Sequence, residues 1–581
     1  MRLRLSGITL PLVLGCPAAF AQDLALRNAA APHALCTEFD VVAATEQSIV
    51  PVFSASGDAA FDVALGRSLH EVLLAPCDVR APGFQLKVRA GAADVAQPAP
   101  PSVTFRGFLR DDPSSAVAAT IVAGRVTALI RTAAGDVWSI QPITAPQRDD
   151  DVSRHIVHCG RDARVLPWHC GVTATLPAAT GGTGNDIVSV ADLVCEADPA
   201  FYQATGSNLT QTHNDITGVI NAVSTIFTAD VQIRMQIAQI VVDTGADPYT
   251  SNDPNTLLAE FRANWNLNRA GTPRDVAHLF TGRPLAQTSG LAGIAYTGTV
   301  CNVQFAYAVS QSLYTNNLSL RIALTAHELG HTFGATHCDA AAPCNIMCST
   351  IGGCSGNTAS FGPGERGQIG AFLQNATCLS TVPGNPVIAT VAPAQVTAFR
   401  PGLLSLTGSG FTGVSSVQIG GVTQTTGFTV ANDFAMVVLP VVPPQLGPTT
   451  LVVTNAAGAS NAAPLSFVPP FPCALSVAAA VPGGTSLTWD FAGQPGSAWM
   501  LLVANNSVPM HVQGWTMLGF ADLFAFGFTD ANLGFGNLTL AVPRGTLSGR
   551  TFYSQLVEMT LGTSSVGLLS TSLVRTTFVV N

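Results

Sequence analysis

His327-Glu328-Leu329-Gly330-His331-Thr332-Phe333-Gly334-Ala335-Thr336-His337 stands past the middle of a 581-residue chain, and its spacing sets the reading of what surrounds it. The preceding residues, Leu318 to Thr325, carry an apolar pattern that predicts a helix running into the motif. Four helical steps of about 100° bring His331 back to within about 40° of His327, so both imidazoles reach one metal. Glu328, one step away, is close enough to serve as a base toward water without occupying the metal. Gly334 is where the helix can stop, because glycine adopts positive φ at little cost, and the turn lets His337 swing in as a third ligand. Three neutral imidazoles with one open position describe a catalytic zinc site, unlike the closed four-ligand structural kind.

The eleven-residue H-E-x-x-H-x-x-G-x-x-H pattern resembles that of the metzincins, whose downstream Met-turn would be Asn345-Ile346-Met347-Cys348. Met347 is then expected as a platform beneath the metal that makes no bond to it. Among metzincins the chain resembles the adamalysin or reprolysin branch over most of residues 186–380. The segments that carry this are Arg274-Asp275-Val276-Ala277-His278-Leu279-Phe280-Thr281-Gly282, Gly293-Ile294-Ala295-Tyr296 through Val300-Cys301, Cys344-Asn345-Ile346-Met347, and Ile369-Gly370-Ala371-Phe372-Leu373 through Cys378-Leu379. The resemblance implies that the chain around Ala292 to Thr297, with Gly293, Ile294 and Ala295 at its centre, is an edge strand that pairs with extended substrate. It also implies a long-range disulfide between Cys301 and Cys378, with Cys338, Cys344, Cys348 and Cys354 closing small loops in an open pattern. One departure stands out: Cys338 separates His337 from Asp339, where the family places its aspartate directly after the third histidine. The absence of a tyrosine after Met347 in this domain argues against the astacin and serralysin branches.

The rest of the chain divides around this region. Thr210 to Phe227 and Thr256 to Asn268 read as helices, and Ile187 to Val194 and Ile233 to Val242 as buried strands, an alternation that indicates an α/β domain. Residues 22–185 alternate short apolar runs with Gly, Pro and Asp, predicting a strand-rich domain that ends in the Gly-rich link Thr180 to Asn185. Beyond Pro383-Gly384-Asn385-Pro386 the helical periodicity vanishes, and two all-β modules, 385–469 and 472–581, are expected. The predicted architecture is therefore multidomain: a β-rich prodomain, an α/β metzincin catalytic domain and two immunoglobulin-like sandwich modules. The first of these, with Leu404 to Phe411, Val417-Gln418-Ile419-Gly420-Gly421 and Leu451 to Asn455, resembles an IPT/TIG module, whose kind serves as a spacer or a binding platform for a surface or matrix.

Composition narrows the function further. Only 10% of residues are charged and Lys87 is the one lysine, so no basic stripe exists to neutralise a nucleic acid. Met1 to Ala21 has the charge, apolar core and small-residue cleavage order of a secretory signal, with Val13-Leu14-Gly15-Cys16 as a weak lipoprotein box at Cys16. No later stretch is long and uncharged enough to span a bilayer, so a secreted product is expected. Thirteen cysteines in an exported chain favour disulfides, and the seven from Cys195 to Cys378 leave at least one without a partner inside that region. Pro167-Trp168-His169-Cys170-Gly171-Val172 resembles the cysteine-switch segment of metzincin propeptides, with His158-Cys159-Gly160 as a weaker copy. Cys170 is accordingly expected as a metal ligand in a latent precursor, the alternative being a propeptide disulfide. The expected function is a secreted zinc metalloendopeptidase acting on proteins or peptides. Its rival is an adhesive surface protein with a protease-like binding domain, against which the intact Glu328 and three histidines count.

Overall fold

The computed structural model describes residues 28–143, 151–172, 189–381, 385–468 and most of 474–579, apart from short breaks within these ranges. The signal segment with Cys16, the Gly-rich link at 180–185 and the inter-module linker at 469–472 lie outside the described residues.

The protease-like region is built on one sheet of nine strands, named in chain order β1 (Arg80–Ala90), β2 (Ala93–Gln97), β3 (His169–Cys170), β4 (Ser189–Ala197), β5 (Ile233–Asp243), β6 (Val276–Phe280), β7 (Leu291–Ala295), β8 (Tyr307–Ser310) and β9 (Ser380–Thr381). Their spatial order is β3-β7-β8-β6-β4-β5-β1-β2, with β9 pairing at the start of β4. The central strands run parallel and are buried along most of their length, as strands covered on both faces are. Helices α1 (Leu209–Val231), α2 (Pro254–Asn268), α3 (Leu318–Thr332) and α4 (Pro363–Leu373) supply the cover. Three of them begin at side-chain caps: Asn208, Asp253 and Asn317 each accept a hydrogen bond from a first-turn amide. Between sheet and helices lies a core in which Ile216, Ile220 and Val223 of α1 meet Leu193, Ile237 and Ile240 of the strands and Leu329 of α3.

The strand-rich reading of the N-terminal region holds, but the region is not self-contained. Ten of its strands form an antiparallel sheet running from Asn28–Ala30 at one edge to Val52–Phe53 at the other. Period-two alternation there serves two cores. Val117, Ala119, Ala128 and Ile130 pack inside the N-terminal domain, while Ala118, Leu129 and Val137 point into the core of the protease-like region. The hairpin of β1 and β2 leaves the N-terminal sheet and lengthens the other one, β1 running parallel to β5 from Gln239↔Gln85 to Asp243↔Arg89. A boundary near Asp186 therefore separates the sequence more cleanly than it separates the structure.

Beyond the protease-like region, residues 387–468 form sheets of four and six strands that share one core around Leu404, Leu406, Phe411, Val417, Ile419, Leu451 and Val453. The last region is likewise all strand where it is described, with Trp489, Phe491, Trp499, Leu501 and Leu556 at its centre. No helix among the described residues is long and apolar enough to cross a membrane.

The disulfides follow the expected scheme, and the small-loop pattern is settled. Cys301 bonds Cys378, Cys338 bonds Cys344 and Cys348 bonds Cys354. Cys195 is the unpaired seventh, buried on β4. Cys159 and Cys170 are both free thiols, so the disulfide alternative for Cys170 is not formed.

Candidate metal centre

Helix α3 carries His327, Glu328 and His331 entirely out of solvent. It ends at Thr332, and Gly334 takes φ +89°, turning the chain so that half-buried His337 faces back toward the helix. The three Nε2 atoms converge: His331 Nε2 lies 3.0 Å from that of His327 and 3.2 Å from that of His337. On the far side of each ring, Nδ1 of His327 is 2.7 Å from the Ile346 carbonyl, and Nδ1 of His331 is 2.7 Å from the Ala335 carbonyl. A carbonyl only accepts, so both Nδ1 atoms carry the proton and both Nε2 atoms present a lone pair. Burial holds these rings neutral, with His327 pushed down to about 3 and His331 well below the usual histidine range.

Two bare nitrogens 3.0 Å apart cannot bond one another, so this arrangement calls for a cation. The donor set suits zinc. Tetrahedral ligands at about 2.0–2.1 Å place neighbouring nitrogens about 3.3 Å apart, and a thiolate at about 2.3 Å lies about 3.6 Å from each of them. Cys170 Sγ is 3.5 Å from His331 Nε2, and Cys170, His327, His331 and His337 present ligand atoms all within 4.8 Å of one another.

Cys170 reaches this point on a short extended segment. The His169 amide donates to the Gly290 carbonyl, Cys170 to Ser349 and Gly171 to Gly293, each at 2.9 Å. The segment thus lies between β7 on one side and the chain after Met347 on the other, and β3 pairs with β7 in parallel. The expected edge strand at Gly293, Ile294 and Ala295 is therefore present, with its open side taken by the chain's own residues.

Glu328 faces the same point. Its Oε2 accepts from Cys170 Sγ at 3.5 Å, its Oε1 has no hydrogen-bond partner, and burial raises its carboxyl well above the usual range. A feature that sequence reading missed explains how it fits. A Cβ on Gly293 would sit 2.4 Å from Glu328 Oε1, so only glycine leaves room for the carboxylate beneath β7. Gly330 plays the same part on the next turn, since a Cβ there would meet Met347 Sδ and Phe361 at 2.9 Å. Met347 is fully buried at that contact, and its carbonyl accepts from the Cys338 amide at 3.1 Å. The spacing of glycine inside the histidine motif could have signalled this close approach; nothing in the sequence tied Gly293 to Glu328. Asp339, displaced by Cys338, is exposed and accepts from the Ser349 amide at 2.9 Å, fastening the loop that borders Cys170.

Residues 189–377 match the family model described as metallo-peptidase family M12, of the reprolysin type. Residues 189–377 are thus similar to the reprolysin-type metallopeptidases. Relatives include disintegrin and metalloproteinase domain-containing protein 1a of Mus musculus, 25% identical over 250 residues, 40% of this chain and 30% of that protein. Protein 33 of the same series from Homo sapiens is 26% identical over 313 residues, 49% of this chain and 37% of that one. This chain thus spans well under half the length of either relative. A solved structure, metalloproteinase-II from Bacteroides fragilis, covers 55% of this chain and 92% of its own at 14% identity and a TM-score of 0.32. The matched span ends one residue before Cys378, the partner of Cys301.

Proposed function

We propose that the chain is a secreted zinc metalloendopeptidase held latent by its own Cys170. The observation that carries this reading is the convergence of three imidazole nitrogens, two of them bare, with one thiol and one buried carboxylate at a single point. His327, His331 and His337 would hold zinc, and Cys170 would fill the fourth position in the precursor. Zinc, when bound, supplies Lewis-acid polarisation of the scissile carbonyl and of water.

The chain's own residues do the remaining work. With Cys170 withdrawn, the space beside Glu328 Oε2 is open to a water and a peptide carbonyl. Glu328, whose buried carboxylate binds a proton more tightly than an exposed one, takes the proton from the attacking water and returns it to the departing amine. The backbone of β7, freed of its pairing with His169 and Cys170, presents amide and carbonyl groups to an extended peptide, giving affinity with little reading of side chains. The modules at 387–579 hold no histidine or cysteine cluster among their described residues and serve as spacers or surface-binding elements.

The experiment is to cut the purified chain between 173 and 188 and follow zinc content and hydrolysis of an unfolded substrate such as casein. One zinc per chain, with cleavage abolished by a chelator and untouched by serine- or cysteine-protease inhibitors, is the expected result. Zinc bound without cleavage would move the chain to the adhesive reading.

A further inference from the structure

We infer that residues 28–159 are not shed on activation but stay with the metalloprotease domain as a permanent noncovalent subunit, and that only the Cys170 segment leaves the cleft. The inference takes from the proposed function the place of the cut; persistence of the assembly does not depend on catalysis.

Two unequal sets of contacts join the N-terminal region to the protease. The first is the Cys170 segment, held by three backbone hydrogen bonds, by Thr350 Oγ1 at 2.8 Å from His169 Nδ1, and by the Cys170 thiol on Glu328. Leu166 and Trp168 also pack in the cluster of Ala292 and Leu320, and Cys170 and Val172 in that of Ile294 and Leu257. The second is the body of the domain. Its hairpin supplies two strands of the sheet, and β1 covers the edge of β5 that would otherwise offer a row of open amides and carbonyls. Val79 and Leu86, at the start of that hairpin, are buried in the protease core.

Polar groups of the protease are completed by the same body. Asn221 of α1 has no solvent exposure; its amide nitrogen donates to the Phe105 and Ala119 carbonyls and its oxygen accepts from Arg106 Nε at 2.9 Å. Gly218, inside the same helix, lies where a Cβ would meet Thr120 Oγ1 at 2.8 Å, so the helix surrenders a side chain to let the N-terminal sheet approach. Arg131 pairs with the wholly buried Asp230 at 2.7 Å. Arg269, which contacts buried Glu196, is clamped by both oxygens of Asp94 at 2.8 Å from the tip of the hairpin. Most telling for activity, Gln141 accepts from the first amide of α3, Leu318, at 2.9 Å and donates to the Asn316 carbonyl at 2.6 Å. The helix that carries the histidines is thus capped from the N-terminal domain. That domain also holds the next module, since the Gly427 amide donates to Pro113 and Arg110 to the Pro401 carbonyl, both at 3.1 Å.

A cut between 172 and 189 frees one end of the Cys170 segment and touches none of the second set. The test is a full chain carrying one recognition site for a sequence-specific protease in that interval, made as wild type and as Glu328→Ala to exclude self-digestion. After the cut, size exclusion with native mass spectrometry should find both pieces in one 1:1 species that separates only where near-ultraviolet dichroism of the protease is lost. Hydrogen exchange should find the amides of Ile233–Asp243 still protected. An N-terminal piece that elutes alone, beside a folded 189–581, overturns the inference, as does loss of protection confined to Ile233–Asp243. Cut wild type that remains paired and hydrolyses a short peptide supports both halves; paired, zinc-loaded and inactive protein overturns the claim that only the Cys170 segment must leave. A stable pair without zinc sinks the proposed function while leaving the subunit in place.

Discussion

Glu328 fits its place because its neighbour lacks a side chain. The carboxylate lies under β7 in space that a single methyl at Gly293 would occupy, with 2.4 Å to Oε1. Gly293→Ala should therefore displace Glu328 while leaving the three imidazoles in place, two of them fixed by the Ile346 and Ala335 carbonyls. Zinc content should stay at wild-type level, and kcat/KM of the cut enzyme should fall by at least about tenfold, since a misplaced base forfeits part of the roughly hundredfold or more that a positioned one supplies. Unchanged kcat/KM would show that the close approach has no consequence. At this scale the sequence was generous with ligands and silent on support. Histidines at fixed spacing announce a metal because helical geometry brings them together. The acceptors of their Nδ1 protons are main-chain carbonyls, which every residue has, so no residue type marks them.

At the scale of the element, the Cys170 segment is a short strand added to β7, and it takes the side of β7 that the proposed function gives to extended peptide. Cys170→Ala should leave the full-length, uncut chain with measurable peptide hydrolysis, where the wild-type precursor has almost none; a variant that stays silent when uncut would place latency in the backbone pairing instead of the thiol. The Met-turn packs equally closely. Gly330→Ala forces a methyl against Met347 Sδ and Phe361, and overpacking of this kind costs about 1–3 kcal/mol. Its melting temperature should drop by several degrees, and an unchanged one would mean that the turn yields freely. Helices α1, α2 and α3 were legible because each has an apolar stripe and a capping residue in place. The pairing of β3 was not, since two residues carry no periodicity; resemblance to a known inhibitory segment drew attention to Cys170, and the packing on β7 came only from the structure.

Across the whole molecule, the change from mixed helix and strand to strand alone after about residue 380 was readable from composition, whereas the interleaving of the N-terminal strands with the protease-like sheet was not. β1 and β5 are joined parallel across about 150 residues of intervening chain, a pairing that no local signal encodes. Among the described residues, the modules after Thr381 place no ligand group at the candidate metal centre, so truncation there should leave hydrolysis of a short peptide within about twofold, while attack on insoluble substrate falls. Failure of the folded, truncated enzyme on a short peptide would mean that contacts such as Gly427 to Pro113 reach the site through the N-terminal domain. A zinc held by three histidines, with Glu328 as the base, is tested most directly by zinc stoichiometry with single-turnover hydrolysis for cut wild type and cut Glu328→Ala. One zinc per chain in both proteins, with hydrolysis reduced by about a hundredfold or more in the variant, is the predicted result; hydrolysis within about tenfold of wild type, or wild type that cleaves without zinc, would contradict it.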